Sequence, residues 1–159
     1  MRGVACLLVA LGTAAPPLAA QHSDAEQAVV AVVAHLFDAM RAKDTVALRA
    51  VFHESARLAS AVTNREGQPV VAEVPIDRFI QAIGGAQPYL DEQVWDTEVR
   101  LDGNLATVWT KYAFFADREF SHCGVDAFQL AMTDAGWKII QIADTRQREG
   151  CDLPEHITP

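Results

Sequence analysis

Two aspartates, Asp126 and Asp144, carry the clearest hint of chemistry in this chain. Residues 125–133 and 137–145 alternate in polarity around Asp134-Ala135-Gly136, which fits a three-residue hairpin loop with glycine at the left-handed position. If Thr133 pairs with Trp137, Leu130 faces Ile140, Phe128 faces Ile142 and Asp126 falls opposite Asp144, all on one face. Directly opposed residues have Cβ atoms about 5 Å apart. Two carboxylates that close repel, and one keeps its proton to higher pH unless a cation intervenes. A carboxyl of that kind beside an apolar pocket is a candidate general acid or base. The plainer reading of the same pair is a structural ion pair closed by Arg57 or Arg146. A register shift of one would send the two aspartates to opposite faces.

Tyr112 stands in the mostly apolar alternation Ala106, Val108, Thr110, Tyr112, Phe114. Its hydroxyl can donate to a ligand oxygen, or be satisfied within the core. His53 follows the second helix, so it is a ligand contact or simply the close of a turn. Trp95 and Trp109 line a cavity, pack, or meet a second copy. His35 reads as surface or packing, and His122 as part of the approach to Cys123. The face Ala127, Gln129, Ala131, Ile139, Gln141, Ala143 mixes small and polar residues and suits dimerisation better than a core.

No metal or cofactor is expected. The chain has no HExxH, no paired CxxC and no His/carboxylate cluster at ligand spacing. Gly84-Gly85 follows a helix instead of opening one, so it is no phosphate loop. No serine stands in a nucleophile elbow.

The elements that must position these residues are legible in outline. Ser23 and Glu26 form a capping box, and Val29, Val33, Leu36 and Met40 follow at helical spacing. Arg41 and Lys43 complement the C-terminal end of that helix. Asp44 caps a shorter helix bearing Val46, Leu48, Val51 and Phe52. A strand is predicted over 57–63, a turn at Asn64-Arg65-Glu66-Gly67, and an extended piece over 70–74. Pro75 opens a third helix with the stripe Ile76, Phe79, Ile80, Ile83, closed by Gly84-Gly85. Strands over 93–101, 105–116, 125–133 and 137–145 complete an α+β chain, helices first and a long antiparallel sheet after, with the helices on one face.

The first twenty residues differ from the rest. Arg2, an apolar run from Val4 to Leu11, Pro16-Pro17 and then Ala19-Ala20 have the layout of a cleavable signal peptide. Residues 1–20 are therefore expected to be removed and 21–159 to form one domain, exported to the periplasm or beyond the cell. The apolar run is too short for a permanent span. The net charge of −8 falls one unit further once Arg2 is gone, and no Lys/Arg cluster offsets it. Nucleic acid and anionic membrane surfaces are thus poor partners. Cys123 and Cys151 remain as a pair in an oxidising compartment. A disulfide would close about 29 residues, to which the chain-entropy treatment assigns ~3–4 kcal/mol. Two free thiols or half of a metal site are the rival readings.

His53 after helix two, the run His122-Cys123-Gly124-Val125-Asp126-Ala127-Phe128, and Trp137-Lys138-Ile139-Ile140 leading to Ala143-Asp144-Thr145-Arg146 together resemble the nuclear transport factor two-like (SnoaL-like) superfamily. More narrowly they look like its secreted branch labelled putative lumazine-binding. The resemblance covers nearly the whole of 21–159. It implies a cone-shaped curved antiparallel sheet closed by the N-terminal helices, a cystatin-like roll with a pocket inside, and a homodimer. Function does not follow from such a fold, which hosts isomerases, dehydratases, hydrolases and plain binding modules. Three readings remain: a secreted protein that binds a small apolar or aromatic molecule, a cofactor-free enzyme using Asp126 and Asp144, and a dimeric interaction module. The first asks for the least.

Overall fold

The computed structural model describes residues 23–159; the expected signal peptide lies outside the described residues. The Ser23 hydroxyl accepts from the Glu26 amide, and the Glu26 carboxylate accepts from the Ser23 amide, so the capping box forms. Helix α1 (Asp24–Ala42) buries Val29, Val33, Leu36, Phe37, Ala39 and Met40. Lys43 ends it in the left-handed conformation, and Asp44 then accepts from the Val46 and Ala47 amides to start α2 (Thr45–Val51). Strand β1 (Phe52–Thr63) starts at Phe52, earlier than the predicted 57, because Phe52 pairs with Ile139 of the last strand. After the turn at 64–67 come β2 (Pro69–Val74) and α3 (Ile76–Gly84), with Pro75 at the cap. The remaining strands are β3 (Leu90–Asp102), β4 (Leu105–Ala116), β5 (Glu119–Thr133) and β6 (Gly136–Thr145).

These six strands form one curved, unclosed sheet in the order β2-β1-β6-β5-β4-β3. All neighbours are antiparallel except β1 and β6, which run parallel and are joined through the rest of the domain, not by a hairpin. Helices α1 and α3 cover one face, α1 against β3 and β6, α3 against β1. Phe37 of α1 meets Phe128 of β5 edge-on at 6.2 Å.

Two bulges set what faces inward. At the β5–β6 turn Thr133 pairs with Gly136, and Leu130 with Ile139, one residue away from the expected Thr133–Trp137 and Leu130–Ile140. The register then shifts between Leu130 and Gln129, so that Gln129 pairs with Gln141 and Asp126 with Asp144. The extra residue turns Ile139 into the core, where it is fully buried, and removes it from the outer face assigned to it above. In β3 the register shifts between Trp95 and Glu98, with Asp96 at φ 50.

Past β6, Cys123 and Gln147 form a bridge and Cys123 is disulfide-bonded to Cys151. The stapled tail crosses the outer face of the sheet, where Ile157 is buried with Ala113 and Phe115 beside Leu153 and Trp95.

Candidate functional site

Ladder pairing sets one polar row across the covered face of the sheet: Ser60 on β1, Asp144 on β6, Asp126 on β5 and Thr110 on β4. All four are buried. Below this row lie Leu58, Ile142, Phe128 and Val108, which meet the helices. Above it lie Tyr112 opposite Gly124, then Phe114 between His122 and Glu92. A cavity of about 390 Å³ opens between these rows and the two helices. Its apolar wall includes Phe37 and Met40 of α1, Phe79 and Ile83 of α3, and Phe114 and Phe128 of the sheet. Its polar wall is Glu92, Tyr112, His122, Asp126, Asp144 and Arg146, with Arg78 contributed by α3.

The three carboxyls differ in their partners. Asp144 accepts from the Ser60 hydroxyl at 2.6 Å and from Arg146 Nε at 2.6 Å, so its charge is matched. Asp126, 4% exposed, has no cation of its own and contacts the Glu92 carboxyl. Burial and the adjoining Asp126 carboxyl push Glu92 well above the usual carboxylate range. Burial, reinforced by the negative Asp144, pushes Asp126 up to about 7, against a pull downward from its hydrogen bond with Glu92. Glu92 and Asp126 therefore share a proton at neutral pH and present a donor and an acceptor side by side.

Tyr112 is 2% exposed, and its hydroxyl donates to the Thr145 carbonyl at 2.8 Å. Burial and the three nearby carboxylates push its own ionisation upward, so it stays a neutral donor. Gly124 is what allows Thr145 this position. A Cβ on Gly124 would lie 1.9 Å from the Thr145 carbonyl oxygen. The Thr145 hydroxyl in turn accepts from the Val125 amide at 3.0 Å. The end of β6 is thereby held over β5, and Arg146 is delivered onto Asp144. His122 lies tilted on Phe114 at 5.1 Å and edge-on to Tyr112 at 5.6 Å. Burial and the neighbouring Arg146 lower it to about 4, so its imidazole is neutral at pH 7.

Residues 24–143 match the family described as putative lumazine-binding. The chain belongs to that family. Solved structures with the same fold include an NTF2-like protein from Cytophaga hutchinsonii, 14% identical, covering 79% of this chain and 100% of that one at a TM-score of 0.65. A putative dehydratase of the NTF2-like family from Streptomyces avermitilis is 12% identical over 77% of this chain and 96% of its own, with a TM-score of 0.60. The beta subunit of a putative aromatic-ring-hydroxylating dioxygenase from Novosphingobium aromaticivorans is 9% identical over 78% and 90%, with a TM-score of 0.64. At these identities the likeness establishes the fold. No curated protein matches the chain.

Within this putative lumazine-binding domain, three of the residues singled out from sequence meet at the cavity: Asp126, Asp144 and Tyr112. The other three lie elsewhere. His53 is the second residue of β1, bonded through Nδ1 to Ser55 Oγ at 2.8 Å. Trp109 points outward, 54% exposed. Trp95 packs beside Ala113, Phe115 and Ile157 under the stapled tail. Glu92, Arg78 and the site role of His122 were not foreseen. Arg57 is exposed on β1 and does not line the cavity; of the two arginines considered for Asp144, Arg146 supplies the cation. Among the described residues, no group of three His, Cys, Asp or Glu side chains is placed to hold a metal ion.

Proposed function

We propose that this family member is an exported protein that binds a small apolar or aromatic molecule in the cavity beneath α1 and α3. The observation that carries this reading is the combination of phenyl walls with one concentrated polar patch, the Glu92–Asp126 pair. Ligand sites characteristically join a mostly apolar enclosure to a few orienting polar groups. At roughly 30 Å³ per small group, the 390 Å³ would take about a dozen heavy atoms. The Cys123–Cys151 bond is compatible with export, since disulfides persist in oxidising compartments. The test is native mass spectrometry of the oxidised protein purified from its own host. A retained small molecule, absent from an Ala82→Trp variant whose indole would fill the cavity from α3, supports binding. A ligand-free wild type that also fails to take up any aromatic probe sinks it.

The shared proton favours a second reading, a cofactor-free isomerase, dehydratase or hydrolase. An acid and a base of different proton affinity beside an apolar cavity are the groups such reactions need. Asp126→Asn would then abolish turnover of a carbonyl or epoxide substrate while leaving its binding intact. We also propose that the outer sheet face pairs two copies of the chain. Trp109, with Ala127 and Ala143 beside it, leaves there a shallow apolar depression flanked by Glu98 and Arg100. Charges of both signs on one patch suit a two-fold contact, in which each meets its opposite on the other copy.

A further inference from the structure

We infer that the cavity takes an organic carboxylate, with its anionic head at the mouth against Arg78 and Arg146, an apolar body between the phenyl walls, and a neutral oxygen at the Glu92–Asp126 pair. This rests on the binding reading above and names the ligand class.

Arg78 is exposed and lines the cavity from α3, and its side chain has no hydrogen bond or ion pair with any of the described residues. The other cavity arginine, Arg146, spends only Nε on Asp144. Its Nη1 and Nη2 make no further bond to the described residues. The Arg146 side chain is 49% exposed where that of Asp144 is 6% exposed, so the cation faces out and the carboxyl faces in. Two arginines on one cavity run against a chain whose net charge is −8. A guanidinium offers a planar fork of donors that fits a carboxylate with two parallel hydrogen bonds.

The orientation follows from the charges below. A carboxylate at the inner wall would meet Glu92, Asp126 and Asp144, of which only Asp144 has a cation. Its head must therefore stay at the mouth. The inner end must be neutral and accept a hydrogen bond, because the acid pair has a proton to give. A ketone, ester or amide oxygen meets that need; an ammonium or a second carboxylate does not. His122, neutral and stacked on Phe114, adds aromatic wall without adding charge.

Isothermal titration calorimetry at neutral pH with three small probes separates the parts: 4-acetylbenzoate, its primary amide, and 4-ethylbenzoate. A charge-assisted hydrogen bond contributes enough for the acid to bind about tenfold or more tighter than the amide. Arg78→Gln should shrink the acid's lead over the amide several-fold, Arg146 holding the remainder, and leave the amide unchanged. Arg78 holds nothing else in place, so this variant keeps the fold. Removal of the ketone, as in 4-ethylbenzoate, should cost several-fold. Equal binding of acid and amide, or an acid preference untouched by Arg78→Gln, overturns the inference and leaves the pocket standing. If none of the three binds, the pocket reading itself falls with it.

Discussion

Asp126 and Asp144 stand opposite each other on β5 and β6, yet they sit in different charge environments. Asp144 is closed by Ser60 and Arg146, while Asp126 is left to the Glu92 carboxyl. The folded protein thus stores an acid that prefers to keep its proton. Its value of about 7 stands above the ordinary 3.8, so the stability it contributes is full below pH 3.8 and is lost as pH rises through 7. Asp126→Asn removes this dependence. Urea denaturation should show the variant gaining on wild type by up to a few kcal/mol between about pH 5 and about pH 8. An offset that stays constant over that range would contradict the assignment.

His122 should titrate in the opposite sense. It is lowered to about 4, so it contributes stability above the ordinary 6.5 that is lost as pH falls through 4. Histidine ring shifts followed by NMR should place its midpoint well below that of a free imidazole. Since Arg146 is a named cause of the lowering, Arg146→Gln should move the midpoint upward. A midpoint near 6.5 in the wild type would mean that the ring is not enclosed beside Arg146.

Gly124→Ala tests the joint that delivers Arg146. With the Thr145 carbonyl 1.9 Å from the new methyl, the end of β6 must shift. The expected cost is about 2–4 kcal/mol of unfolding free energy, as for other overpacked or strained sites. Tyr112→Phe, which removes only the hydrogen bond to Thr145, should cost about 1 kcal/mol. Equal, small effects from both would mean that β6 ends loosely.

The outer face makes a separate prediction. If two copies pair there, sedimentation should show a dimer that Trp109→Glu converts to monomer, because it places a charge in the depression beside Ala127 and Ala143. Probe binding in the cavity on the other face should be unchanged. A monomeric wild type removes this proposal without touching the pocket.

The helices were legible because their signals are local. Capping residues and 3.6-residue spacing at Ser23, Asp44 and Ile76–Ile83 need no distant partner. The Asp126–Asp144 pairing was legible for a less secure reason. The register expected at the turn was one residue off, and the bulge at Ile140 restored it before the aspartates. Glu92 was illegible because it lay just before the strand expected from 93, and because the other bulge hid its face. Plain alternation through β3 puts Glu92 on one face with Asp96 and Glu98, which reads as solvated. The irregularity at Asp96 changes the parity instead, so that Glu92 and Val94 share the inner face with Val99 and Leu101. For His53 and the two tryptophans the sequence left several readings open, and the structure places them away from the cavity. Residue type marks them as ligand contacts, but the face they occupy is set by pairing between strands distant in sequence. Cys123 and Cys151 needed only their number and the expectation of export, and they are bonded.

The shared proton is best observed on the carboxyl carbons themselves. Carbon-13 NMR of labelled Asp and Glu side chains, followed from about pH 3 to about pH 9, resolves each titration. Two coupled resonances should remain partly protonated near pH 7, and Asp126→Asn should erase one and simplify the other. If every carboxyl in the wild type has ionised by about pH 5, Glu92 and Asp126 hold no proton between them, and the polar wall of the cavity is not the donor described here.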